Sequence, residues 1–236
     1  MDQPSHPGHE RLTAHLREYL GGWPPRAPVD VVGHPGRLRP AWDGASIVGV
    51  VVVSPAGTLV SVPPDCEAAA AGLAASGDDP FSEGFRRDLA TAVGVGIDKV
   101  SPWLPFRWTV EPAPLPDAGE WVDPGHPELP DWLRAFSDPV LVAFDPETGE
   151  YQAGVAAKPH TRWGRELAVG TTEVARGRGL ARRLVAQGAR AILADGAVPL
   201  YVHHPDNAAS ARVADAAGLT DTGWRILYAW GRHPEP

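Results

Sequence analysis

Cysteine is nearly absent: Cys66 is the only one in 236 residues. A lone thiol excludes an internal disulfide and any zinc site built on several cysteines. Lysine is almost as scarce, occurring only at Lys99 and Lys158, so the cationic side chains are mostly arginines. With a net charge of −8, the chain lacks the clustered cations that a general nucleic-acid binder needs for phosphate contacts. No apolar run approaches the roughly 20 residues that cross a bilayer. The first residues lack the order of a secretory leader. These absences lead us to expect a cytoplasmic protein that binds neither nucleic acid nor membrane. Glycine and proline are abundant, at 26 each, and there are nine Trp. The hydrophobic content of 43% is enough to build a packed core.

The most informative stretch is Thr171 to Ala181, Thr-Thr-Glu-Val-Ala-Arg-Gly-Arg-Gly-Leu-Ala. An alternating strand pattern over Arg165–Thr171 ends there, a glycine-rich turn follows, and a helix pattern starts at once. Such a junction aims several backbone N–H groups and the positive end of a helix dipole at one point, a seat for a pyrophosphate. Two familiar phosphate loops are excluded. A Walker loop needs Lys then Ser or Thr after its second glycine, where this chain has Leu180 and Ala181. A dinucleotide fingerprint needs a third glycine where this chain has Arg182.

Downstream, Leu180, Leu184, Val185, Ile192 and Leu193 form one helical stripe, with Arg182, Arg183, Gln187 and Arg190 on the other side. Gly196 stops that helix. Pro199 to His204 reads as a buried strand, and Asn207 as the N-cap of a helix that Gly218 ends eleven residues later. Gly223 to Trp230 is a last strand. The motif Arg-x-x-Gly-x-Ala, from Arg176 to Ala181, resembles the acyl-CoA-binding signature of the GNAT superfamily of N-acetyltransferases, and the Asn207–Gly218 interval fits the same family. The resemblance implies a mixed-sheet α+β fold over 104–236, and the residue pattern before it reads as a small α+β domain over 1–103.

That resemblance also implies a reaction: acetyl transfer from acetyl-CoA, as co-substrate and with no metal, to an amine that attacks the thioester directly. The acceptor is expected to be a primary amine of a small molecule. The alternatives are a protein N-terminus or lysine as acceptor, and a degenerate, non-catalytic domain that binds acyl-CoA as a sensor or scaffold. A nucleotide-binding domain with an unusual loop is a further reading, disfavoured by the missing Lys and third glycine. Under the resemblance, Arg176, Gly177, Arg178, Gly179, Leu180 and Ala181 hold the pyrophosphate and Asn207 opens the next helix beside the coenzyme. Main-chain groups of Val169, Gly170 and Thr171, on a strand that splays from its neighbour, face the thioester arm. Glu166 and His204 are the candidates for the base that keeps the amine neutral, since a carboxylate or imidazole near the amine can take its proton. Many members of the family carry a Tyr seven residues after the helix-opening Asn, which protonates the leaving thiolate. Here that position is Ala214, with Ser210 one turn nearer the cap as a substitute. His203, His204 and Asp206 make a poor metal set, because neighbouring strand residues face opposite ways.

The first hundred residues carry no recognised motif. They read as a helix ended by Gly21-Gly22, a strand at Val29–Val32, strands at Ser46–Val53 and Thr58–Val62, and helices at Cys66–Ala75 and from Asp79-Pro80 onward. Their role stays open between completing the pocket, mediating a homodimer and forming a half-copy of the same fold. Residues 111–130 contain six prolines and read as a loop, either an active-site cover or an inter-domain crossing. Trp103, Trp108, Trp121 and Trp132 flank or occupy it, either lining an apolar or cation-binding pocket or packing loops.

Overall fold

The computed structural model describes residues 7–231; residues 1–6 and 232–236, the outer ends of the two expected domains, lie outside the described residues. In chain order the elements are α1 (Pro7–Leu20), β1 (Val29–Gly33), β2 (Ile47–Ser54), β3 (Gly57–Val62), α2 (Glu67–Ala75), α3 (Glu83–Ala92), β4 (Leu104–Trp108), β5 (Glu120–Val122), α4 (Asp131–Arg134), β6 (Val140–Phe144), β7 (Tyr151–Thr161), β8 (Gly164–Thr171), α5 (Leu180–Ala194), β9 (Val198–Val202), α6 (Ala208–Ala216) and β10 (Arg225–Trp230). The class is α+β, as expected. The chain folds as two compact units, one of residues 13–106, 204–206 and 222–231, the other of 7–12, 107–203 and 207–221.

In the first unit the strand order is β1-β3-β2-β10-β4, with β1 parallel to β3 and the other pairs antiparallel. Val51, Val60 and Val62 from the sheet meet Leu73 of α2 and Phe85 and Leu89 of α3 in one core. Helix α3 starts at Glu83 rather than at Asp79-Pro80. The reason is the Ser82 hydroxyl, which accepts the Phe85 N–H at 3.1 Å and caps the helix there. The last strand sorts differently from the expected division at residue 104. β10 pairs with β2 from Arg225↔Val53 to Trp230↔Ile47, and its Leu227 and Ala229 complete this unit's core.

In the second unit the order is β9-β8-β7-β6-β5, antiparallel except for β8 beside β9. The β6–β7 hairpin turns on Asp145, whose Oδ1 accepts the N–H groups of Glu147 (3.0 Å) and Thr148 (3.2 Å). Helix α5 lays Leu184, Val185, Ala189 and Ile192 on Val155 and Leu167 of the sheet. Each fully buried aliphatic side chain contributes about 1.5–3 kcal/mol. A side chain at Gly188 would meet Leu167 Cδ2 at 3.1 Å and Val155 Cγ1 at 3.3 Å, so glycine there lets the helix approach the sheet closely.

The polar face of α5 does not simply face water. Arg183 donates to the carbonyls of Pro116 and Asp117, and Arg190 to those of Ala113 and Leu115 and to the Asp117 carboxylate. Gln187 accepts from the N–H groups of Ala118 and Gly119 and donates to the Gly119 carbonyl. The proline-rich segment is therefore a strap bound along α5, and its short strand β5 was not expected. Proline explains the arrangement: a strap poor in N–H groups offers carbonyls, and arginines supply donors for them. Among the described residues, no helix is long and apolar enough to cross a membrane.

Candidate active site

Three elements of the second unit converge on one cleft: the C-terminal half of β8, the turn into α5, and the start of α6. Strands β8 and β9 pair only at Gly164↔Val198, Arg165↔Pro199 and Glu166↔Leu200. Beyond Glu166 and Leu200 the parallel ladder stops, so the two strands part along the rest of β8. The Thr172 N–H bonds the Gln152 carbonyl at 2.9 Å, and the Gly170 carbonyl accepts from Tyr151 Oη at 3.2 Å, so both point to the β7 side. Strand alternation then turns the N–H groups of Val169 and Thr171 toward the gap.

The gap opens into a cleft of about 740 Å³, lined by Val169, Thr171, Arg176, Gly177, Gly179, Leu180, Ala181, Tyr201, Asn207 and Ser210 together with Arg182 and Arg212. Gly179 is the N-cap of α5 at φ 76°, ψ 10°, a left-handed conformation followed directly by the right-handed helix. That succession makes neighbouring N–H groups concave toward an anion, and the first turn of any helix leaves its own N–H groups without intrahelical partners. Across the cleft Asn207 caps α6, its Oδ1 accepting the Ser210 N–H at 3.0 Å. Arg176, Arg182 and Arg212 line the cleft, and among the described residues no carboxylate pairs with any of them. Elsewhere in this unit Arg107, Arg165 and Arg190 are all ion-paired. Unneutralised guanidinium groups beside a helix N-terminus fit a polyanion such as a coenzyme diphosphate.

Nine expected site residues thus meet at the cleft: Val169, Thr171, Arg176, Gly177, Gly179, Leu180, Ala181, Asn207 and Ser210. Four others do not. Gly170 turns its main-chain groups toward β7, and a side chain there would lie 2.8 Å from Trp132 Cζ2. Its bareness seats the Trp132 indole of α4 and has no role toward the gap. Arg178 is exposed outside the cleft lining, and its charge helps lower the pKa of Asp145, an effect led by the backbone hydrogen bond from Glu147. His204 is exposed, groups with the other unit, and accepts the Asp206 N–H at 3.3 Å through Nδ1.

Glu166 is buried, 6% exposed, and its two carboxylate oxygens each meet a side-chain nitrogen. Lys158 Nζ is 2.6 Å from Oε1, because the β7–β8 register sets Lys158 directly opposite, and His160 Nε2 is 2.9 Å from Oε2. Burial pushes the carboxyl pKa up, but the His160 hydrogen bond and the Lys158 charge outweigh it and hold the group at about 2. A carboxylate so tightly held is a poor proton acceptor near neutral pH, so its position fits an ionised anchor better than a base. Among the described residues, no group of three or more His, Cys, Asp or Glu side chains is placed to hold a metal. The four tryptophans do not gather. Trp103 packs on Phe81 and Phe85 in the first unit, while in the second Trp108 packs on His9, Trp132 covers Gly170, and Trp121 is 47% exposed on β5.

Arg182, Arg212 and Tyr201 line the cleft without having been expected there, and Tyr201 is the one with a polar partner inside it. Tyr201 of β9 is 1% exposed, lines the cleft, and sets its Oη 2.8 Å from Ser210 Oγ. The only sequence signal was a phenol inside a buried strand, one residue past the last β8–β9 pair.

Comparison with known proteins bears on this geometry. Residues 143–224 match the family model of FR47-like proteins, a segment from β6 to the end of the loop after α6. The match supports the GNAT resemblance over about a third of the chain, the third that builds the cleft. An acetyltransferase of the GNAT family from Colwellia psychrerythraea is similar in structure, with a TM-score of 0.43 and 13% identity over 56% of this chain and 57% of that one. A GCN5-related N-acetyltransferase-like protein from Streptococcus suis has a TM-score of 0.40 and 18% identity over 64% of this chain and 69% of that one. This chain therefore spans little more than half the length of the first of these. No curated protein matches the chain in sequence.

Proposed function

We propose that this protein transfers an acetyl group from acetyl-CoA to a primary amine of a small molecule by direct attack. The observation that carries the reading is the early end of the β8–β9 ladder at Glu166 and Leu200, opening a gap that leads to the glycine turn and its unpaired arginines. On this reading the diphosphate lies on the N–H groups after Gly179, beside Arg176 and Arg182. The pantetheine arm runs back along β8, as a missing strand would, and meets the N–H groups of Val169 and Thr171. One such donor aimed at the thioester oxygen is worth about 3 kcal/mol to the transition state in other acyl-transfer enzymes. The amine attacks as the free base, and Glu166, held ionised by Lys158 and His160, stays out of the proton transfer.

The test has two stages. Calorimetric titration should show acetyl-CoA binding, with no comparable heat from NAD or ATP. Incubation with acetyl-CoA and a panel of small primary amines should then release free thiol in step with N-acetylated product. A chain that binds none of these coenzymes refutes the site. One that binds acetyl-CoA but turns over no amine, while acetylating a peptide N-terminus or lysine, moves the acceptor to protein.

A further inference from the structure

Tyr201 brings the cleft a phenol from a strand that the sequence resemblance does not point to. Ala214, the position at which many members of the resembled family carry a tyrosine, is a fully buried methyl group packed in the core beneath α5. Helix α6 therefore brings no phenol to the cleft. Strand β9 does. Leu200 is its last residue paired with β8, and Tyr201 follows at the point where the strands part. Its ring packs with the α5 core, its hydroxyl meets Ser210 Oγ at 2.8 Å, and both residues line the cleft. Ser210 is half-buried, so the pair runs from the closed end of the gap outward to solvent. If the diphosphate sits at Gly179, the thioester lies at that closed end.

We propose that Tyr201 is the acid that protonates the departing thiolate of coenzyme A, with Ser210 relaying a proton to it from water. This rests on the acyl-transfer reading above. In the step, the amine nitrogen forms a bond to the acetyl carbon, and the carbon–sulfur bond breaks with its electron pair left on sulfur. The Tyr201 hydroxyl proton moves to that sulfur, giving free thiol. Ser210 gives its hydroxyl proton to the phenolate and regains one from cleft water, which receives the proton shed by the nitrogen. The side chains end as they began. Burial raises the Tyr201 pKa, so the phenol holds its proton until sulfur needs it. Arg107 and Glu166 are the charges that reach it, the first favouring the phenolate and the second opposing it.

The test compares the wild type with Tyr201→Phe and Ser210→Ala. Bound coenzyme A is titrated by the ultraviolet absorbance of its thiolate, which requires no acceptor. A phenol hydrogen-bonded to sulfur stabilises the thiolate, so the bound thiol should ionise about tenfold less readily in Tyr201→Phe, and less readily in Ser210→Ala by a smaller factor. Where an amine is turned over, kcat should fall about 100-fold in Tyr201→Phe, the low end of what a positioned acid supplies, with coenzyme affinity within about threefold. A hydroxyl that only packs the core would lower the melting temperature and leave the thiol titration unchanged. Identical titrations for the wild type and both variants overturn the proposal while leaving the acyl-transfer reading standing. A wild type that binds no coenzyme A overturns that reading itself. Should Tyr201→Phe not fold, the half-buried Ser210→Ala still decides the relay.

Discussion

Gly179→Asp is the most direct challenge to the diphosphate seat. The position has φ 76°, so any side chain meets the left-handed penalty of about 1–2 kcal/mol, and Asp falls at the mild end. In a chain of this size 1 kcal/mol moves the melting temperature by roughly 2–4 °C, so the variant should remain folded. The new Cβ would lie 3.0 Å from Arg182 Nε and 3.1 Å from Nη2, the far end of a flexible side chain that can move aside. The carboxylate would then both neutralise Arg182 and stand against the ligand's own charge. Two unit charges 4 Å apart repel by about 4 kcal/mol at the effective dielectric of a protein surface. At about 1.4 kcal/mol per decade this predicts a loss of affinity for coenzyme A near 10³-fold. Gly179→Ala carries the strain without the charge and should lose far less. Calorimetric titration of both variants at physiological salt measures the difference, and raising the salt to about 1 M should narrow it, since these charges are exposed. If the Asp variant binds coenzyme A within about threefold of wild type, the anion seat is elsewhere and the assignment of the Arg176–Ala181 loop fails.

Glu166→Gln would leave Lys158 and His160 without their anion, and because the Lys158 side chain is 31% exposed the cost should fall below the roughly 3–5 kcal/mol of breaking a fully buried pair, readable in urea denaturation. Because the folded-state pKa lies near 2 against an ordinary 4.5, the carboxylate stabilises the fold above about pH 4.5 and loses that contribution as pH falls toward 2. Melting temperature should therefore drop more steeply across that window in the wild type than in the variant, and parallel curves would show that the pair is not stabilising. Gly170→Ala should cost about 1–3 kcal/mol by overpacking Trp132 while coenzyme affinity stays unchanged, and a selective loss of affinity would return Gly170 to the binding site. Arg190→Ala removes the donors to Ala113, Leu115 and Asp117, which should speed limited proteolysis within residues 111–119. Unaltered cleavage would mean the strap is held without Arg190.

What the sequence disclosed follows from where the physics is local. Gly179, Gly196 and Gly218 all adopt positive φ, and Asn207 caps its helix through a bond three residues away. Such requirements fall on single residues, so they are legible in a string of letters, and the glycine turn and both helices were legible with them. Glu166 shows the opposite case. Its charge and its strand were readable, but its partners were not, because Lys158 reaches it only through the β7–β8 register. The α5 face bearing Arg183, Gln187 and Arg190 failed for a related reason. Periodicity separates polar from apolar positions, yet it cannot tell a face turned to water from one turned to a strap of main-chain carbonyls. β10 was recognisable as a strand, while its pairing with β2 across more than 170 residues of sequence depends on which sheet edge is open. Tyr201 joins both kinds of information. Its burial was local, but its bond to Ser210 exists only because α6 returns over the end of β9, and that return is the feature on which the proposed proton relay stands.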